Sequence, residues 1–150
     1  MFSLEIVNYS RELTLDTSRI LEIRQLIASE LDIPQNGIMH IAFLSDDEIQ
    51  ALNRNYRGID ATTDVLSFHY FDDFSSVKDD EIAGEIILSE SRVLSQAIDH
   101  HHTPTEECEI LIIHGLLHIL GFDHESDQEY EEMWRYEKSI RHNLGLTSEM

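Results

Sequence analysis

The stretch that most constrains this chain is His114-Gly115-Leu116-Leu117-His118-Ile119-Leu120-Gly121-Phe122-Asp123-His124, because it holds three histidines at a spacing that can converge on one metal ion. At about 3.6 residues per turn, His114 and His118 stand one turn apart on the same face of a helix, so their imidazoles reach a common point. Gly121 can end that helix in the left-handed conformation that other residues adopt only at a cost. The chain then turns back and carries His124 toward the first two. Three neutral imidazoles around zinc leave the fourth tetrahedral position to water, which is the pattern of a catalytic site and not of a closed structural one. The chemistry is that of a metal-dependent hydrolase, with His114, His118 and His124 holding one zinc, or another divalent ion, per chain.

The competing reading is a set of polar residues hydrogen-bonded at the end of a buried helix. With nine histidines in 150 residues, three at one fixed spacing would arise by chance in roughly 3% of chains, and requiring Gly121 lowers this to about 0.1%. The same spacing occurs in the metzincin peptidases, whose general base is a glutamate directly after the first histidine. That position is Gly115 here. A glycine has no group to accept a proton, so peptide hydrolysis by that route lacks its base.

A chain of 150 residues with 41% apolar content suits one globular domain that buries about two-thirds of its unfolded surface. The N-terminus shows no basic segment followed by an apolar run, and the longest apolar segment, Ile110 to Leu120, is too short to span a bilayer. The expectation is a cytoplasmic protein that meets no membrane. Cys108 is the only cysteine, which excludes an intramolecular disulfide and suits a core position in a reducing compartment. A formal charge of −20 argues against a broad nonspecific grip on nucleic acid. Any anionic substrate must be held locally.

Phe2, Leu4 and Ile6 alternate with Ser3, Glu5 and Val7, as in a strand with one mainly apolar face. Asp16 to Ser18 offers caps for a helix from Arg19 to Leu31, whose apolar face is Ile20, Ile23, Ile27 and Leu31. Pro34 and Gly37 break the chain before a second strand, Ile38 to Leu44. Ser45 and Glu48 form a capping box for a helix to about Tyr56, with Ile49, Leu52 and Tyr56 inward and Arg54 and Arg57 near a Gly58 cap. Val65 to Tyr70 reads as a third strand, and the acidic run from Asp72 and Asp73 to Glu81 as a solvated, mobile loop. Ile82 to Ser89 is a fourth strand, in which Gly84 marks a bulge or a close backbone approach and suggests a sheet edge. Ser89 caps a helix to about His102, with Val93, Leu94, Ala97 and Ile98 inward and His100 to His102 as a solvated C-terminus. Thr103, Pro104 and Glu106 start the metal helix, which should be mostly buried. Ser126 and Glu129 start a final helix that runs to Leu144 and is closed by Gly145.

The string HGLLHILGFDH resembles the signature of the YbeY family of metal-dependent endoribonucleases that mature ribosomal RNA. Asn53 to Phe68, NRNYRGIDATTDVLSF, looks like that family's other signature, and Gly84-Glu85-Ile86 followed by Ser89 looks like its Gly-Asp-Ile…Ser strand. Thr62 and His69 stand where the family usually has prolines, and Glu85 where it usually has aspartate. The resemblance implies an α+β fold: a single domain with a mixed four-stranded sheet, about five helices and a zincin-like metal helix beneath the sheet. It implies metal ligation by His114, His118 and His124, and catalytic roles for Arg57 and His114. Asp123, Asp64 and Glu85 are candidates to stand behind the ligands and orient them. The implied reaction is a zinc-dependent cut in single-stranded RNA, with a ribosomal RNA precursor as substrate and the small ribosomal subunit or its proteins as partner. Such a cut builds negative charge that a metal and a fixed guanidinium can stabilise. Two other classes are a peptidase aligning its substrate along an edge near Gly84 and a noncatalytic ribosome-assembly factor with a structural metal.

Overall fold

The computed structural model describes residues 2–8, 10, 13, 15–31, 36–71, 74–122 and 126–146. Pro34, Asp72, Asp73, Asp123 and His124, all named above, lie outside the described residues. In chain order the elements are β1 (Ser3–Asn8), α1 (Thr17–Glu30), β2 (Ile38–Leu44), α2 (Asp46–Arg57), β3 (Val65–His69), β4 (Ile82–Ser89), α3 (Glu90–His100), α4 (Pro104–Ile119) and α5 (Asp127–Asn143). A short 3-10 turn, Phe74–Ser76, sits between β3 and β4.

Local chemistry sets most of these boundaries. Ser45 with Glu48, and Thr103 with Glu106, form reciprocal capping boxes that satisfy the first free N–H groups of α2 and α4. Gly58 and Gly121 take positive φ angles of 73° and 108°, closing α2 and letting the chain leave α4. In the acidic segment before β4, Asp79 and Asp80 are solvated as expected, while Phe74 and Val77, between the acids, insert into the core.

The strand order is β1-β2-β4-β3, with β1, β2 and β4 parallel and β3 antiparallel to β4. The expected mixed four-stranded sheet and five helices are present, an α+β arrangement. The expectation of an edge at Gly84 is corrected: β4 lies between β2 and β3. The close approach is real, since a Cβ at Gly84 would lie 2.6 Å from the Phe68 carbonyl oxygen and 3.1 Å from Ile119 Cγ2. An extended peptide therefore has no free β4 edge to pair with.

Helix α4 packs on this sheet and is buried along most of its length, including Ile110, Ile112, Ile113, Leu116 and Leu117. Gly115 permits the contact, because a Cβ there would stand 3.0 Å from Ser67 Oγ and 3.3 Å from Ile86 Cγ2. Arg19 of α1 ties the helical layer together, donating to the buried Glu109 of α4 at 2.8 Å and to the Leu144 carbonyl at 2.8 Å. Two expected inward residues face solvent. Ile98 lies one residue off the Val93–Ala97 face that α3 buries, and Tyr56 gives way to Asn53, which is buried four residues after Ile49. No helix among the described residues is long and apolar enough to cross a membrane.

Candidate functional site

Helix α4 presents His114 and His118 one turn apart, and their rings meet edge to face with centroids 4.6 Å apart. Both open on a cleft of about 1200 Å³. Arg57, from the last turn of α2, lines the same cleft, as do Asp64, Glu85, Tyr56, Phe68 and Tyr70. The structure thus brings five candidate residues from separate elements and loops to one cleft: Arg57, Asp64, Glu85, His114 and His118. The third expected ligand, His124, and its neighbour Asp123 lie outside the described residues.

Each of the other candidates has a distinct role. Arg57 is exposed at the cleft, whereas Arg54 pairs with Asp60 at 3.6 Å and so takes the surface role. Asp64 Oδ1 accepts from the Val65 N–H at 2.8 Å and from the Thr63 hydroxyl at 3.1 Å, which fixes the loop entering β3. Glu85 accepts a hydrogen bond from Tyr70; burial, with the Glu85 charge next, raises the Tyr70 hydroxyl above its usual range. Tyr56 packs edge to face on Phe68 at 5.6 Å while remaining 72% exposed. Aromatic side chains therefore line part of the cleft beside its few charged groups.

The residue that orients His114 was not among the candidates. Glu137 of α5 approaches His114 Nδ1 with Oε1 at 2.5 Å, and Arg141 Nη2 lies 3.3 Å from the other carboxylate oxygen. Burial is the main influence on Arg141, pulling its guanidinium below its usual range against the raising effect of Glu137 and Glu107. The signal was legible: Met133, Glu137, Ile140 and Leu144 recur at helical spacing, so a carboxylate occupies the apolar stripe of α5.

The expectation of a solvated histidine triplet is corrected for two of its members. His100 Nδ1 and His102 Nδ1 each lie 3.0 Å from one oxygen of Glu107, which is 1% exposed. Helix α3 has ended, and His101 takes a left-handed φ of 59°, so the chain folds His102 back beside His100 and over α4. The argument that consecutive helical residues diverge does not apply past that point. The ligand-capable atoms of His100, His102 and Glu107 lie within 4.8 Å of one another, so this triad could hold a metal ion. Both carboxylate oxygens are engaged by imidazole.

The family model described as Endoribonuclease YbeY matches residues 5–145 of this chain. The Endoribonuclease YbeY of Clostridioides difficile (strain 630) is 38% identical over 135 residues, covering 87% of this chain and 88% of that protein. That of Carboxydothermus hydrogenoformans is 36% identical over 143 residues, 95% of this chain and 97% of that protein. The solution structure of TM1509 from Thermotoga maritima is similar with a TM-score of 0.58 at 25% identity, covering 95% of this chain and 91% of that one.

Proposed function

The chain belongs to the Endoribonuclease YbeY family, and on that premise we propose that it is a metal-dependent endoribonuclease that hydrolyses phosphodiester bonds of single-stranded RNA during ribosomal RNA maturation. The observation that carries this reading is that Arg57, His114 and His118 line one cleft together with Tyr56, Phe68 and Tyr70. The residues present fit a divalent ion. Two imidazoles converge from one helix face, and His114 has a carboxylate on Nδ1, the outer partner that a ligating histidine commonly carries. His114, His118 and His124 would hold one zinc or similar ion, which when bound supplies Lewis acidity toward water or phosphate.

The chain's own residues account for binding and orientation. Arg57 would donate its planar pair of N–H groups to the non-bridging oxygens and stabilise the charge that builds there. Tyr56, Phe68 and Tyr70 offer faces on which bases of a single strand can stack without sequence preference. Asp64 shapes the lip of the cleft and Glu85 holds the Tyr70 hydroxyl, while Asp123 remains the candidate to orient a second histidine. At a net charge of −20, the protein gains from a basic partner that offsets repulsion of the rest of the RNA. The small ribosomal subunit or its proteins would serve, in the cytoplasm.

The test couples metal analysis to RNA cleavage by the purified chain and by His114→Ala. The expected result is about one divalent ion per chain and cleavage in wild type, with both lost in the variant. Wild type carrying metal yet leaving RNA intact would favour the noncatalytic assembly factor, and wild type purified without chelator and free of metal would end the metal mechanism.

A further inference from the structure

Helix α5 buries two charged residues on the face that its neighbours Met133, Ile140 and Leu144 make apolar. Arg141 is 1% exposed, and its Nε and Nη1 find no hydrogen-bond partner among the described residues. Its guanidinium lies 5.2 Å over the Trp134 ring, and Nη2 reaches Glu137 Oε2 at 3.3 Å. Sealing a cation away from water with two unsatisfied donors is costly. A methionine or leucine would fill the space more favourably. What the arrangement secures is the fixed position of Glu137, which is itself 6% exposed and abuts His114 Nδ1 at 2.5 Å.

The direction of that contact has a chemical consequence. With the Arg141 guanidinium on its far oxygen, the Glu137 carboxylate is placed to accept from Nδ1–H of His114, and in a neutral imidazole the lone pair then resides on Nε2. We infer that Glu137, braced by Arg141 from the next turn of α5, is a positioning residue that locks His114 in the Nδ1–H tautomer and so presents Nε2 as the metal-binding nitrogen. The inference rests on the reading of His114 as a ligand. Helix α5 thereby completes a site whose other described members come from α2, β3, β4 and α4, and Glu137 acts from outside the reacting atoms.

The experiment uses the full chain stripped of metal by chelator, with ¹⁵N-labelled histidine at about pH 8, above the ordinary range of a free imidazole. Long-range ¹H–¹⁵N spectra report which nitrogen of His114 carries the proton. Wild type is expected in the Nδ1–H form, Glu137→Leu in the Nε2–H form that free imidazole favours, and Glu137→Gln in the wild-type form, because an amide oxygen still accepts from Nδ1–H. Zinc affinity, measured by competition with a chromogenic chelator, should fall by about 10- to 100-fold in Glu137→Leu and much less in Glu137→Gln. An Nε2–H or imidazolium His114 in wild type would overturn the inference, and that measurement requires no variant to fold. An unchanged tautomer in a folded Glu137→Leu would also overturn it. If the tautomers behave as expected but wild type binds no zinc, the ligand reading fails while the Glu137–His114 lock stands.

Discussion

Replacing Gly84 by alanine tests the packing that forms the cleft. In an ordinary strand this substitution is favourable by about 0.5–1 kcal/mol, because glycine loses the most backbone freedom on folding. At Gly84 the sign reverses. The new Cβ would sit 2.6 Å from the Phe68 carbonyl oxygen, 3.1 Å from Met39 Sδ and 3.1 Å from Ile119 Cγ2. The Met39 thioether can yield, but the Phe68 oxygen belongs to the backbone of β3, which is paired with β4 from Val65 to His69. Forced overpacking of this kind costs about 1–3 kcal/mol, and a backbone obstacle places the cost at the upper end. Net of the gain in backbone entropy, Gly84→Ala should lose about 2 kcal/mol, a fall in Tm of about 4–8 °C for a chain of this size. The relief available is to push β3 and the end of α4 apart, which separates Phe68 and His69 from His118. Cleavage should therefore fall even at temperatures where the variant is fully folded. Thermal unfolding by circular dichroism and cleavage at a temperature well below Tm measure the two effects. A Gly84→Ala protein as stable as wild type would refute the close-approach argument, whatever its activity.

Arg57→Lys should impair cleavage by about tenfold or more while leaving metal content and Tm unchanged, because lysine keeps the charge but lacks the planar fork that fits phosphate oxygens; Arg54→Ala should change cleavage little, since Arg54 pairs with Asp60. Burial, with Glu107 and Glu109 nearby, pushes the Cys108 thiol up to about 12, so iodoacetamide should leave the native protein unmodified at pH 8 and label it only in denaturant. Hydrogen bonds from Ser89, then Ser91, hold the Asp46 carboxyl below its usual range; its stabilisation is present above the ordinary carboxylate pKa and lost as pH falls through the lowered value. Asp46→Asn should accordingly cost about 1 kcal/mol at neutral pH, with the difference from wild type beginning to shrink only below about pH 4 and disappearing once the pH has passed the lowered value, as urea titrations would show. A short single-stranded RNA should bind with a log-log salt slope near −1.4, reflecting about two neutralised phosphates; a slope steeper than about −3.5 would reveal a basic groove and remove the motive for a basic partner.

Elements governed by neighbours in sequence were legible. Ser45 with Glu48 and Thr103 with Glu106 announce helix starts through groups three residues apart, and both boxes form as written. The His114–His118 pair follows from one turn of helix. Features governed by distant partners were harder to read. Gly84 suggested an edge because a side-chain-free strand residue admits several explanations, and only the placement of β3 beyond β4 shows that Phe68 is the backbone approaching it. Glu137 sits 23 residues from His114, and nothing local distinguishes it from the many exposed acids of α5 except its position on the buried stripe. The histidine triplet misled because a helical projection was carried past the end of the helix.

The same packing explains why a helix of this kind serves phosphodiester and not peptide cleavage. In the peptidases with this histidine spacing, the residue after the first ligand is a glutamate that deprotonates water. Here that position faces the sheet, and even a Cβ would meet Ser67 Oγ at 3.0 Å and Ile86 Cγ2 at 3.3 Å. A glutamate could not enter without lifting α4 from β3 and β4. The carboxylate close to His114 comes instead from α5, on Nδ1, where it orients the ring and is already held by Arg141. Meanwhile α2 brings a guanidinium to the other side of the cleft. Both reactions need an activated water, but attack on a phosphodiester adds a demand for positive charge around oxygens that are already anionic. On the proposed reading Gly115 leaves no room for such a base and Arg57 would supply the positive charge, so the chemistry of the site would be set as much by how tightly α4 lies on the sheet as by the histidines it carries.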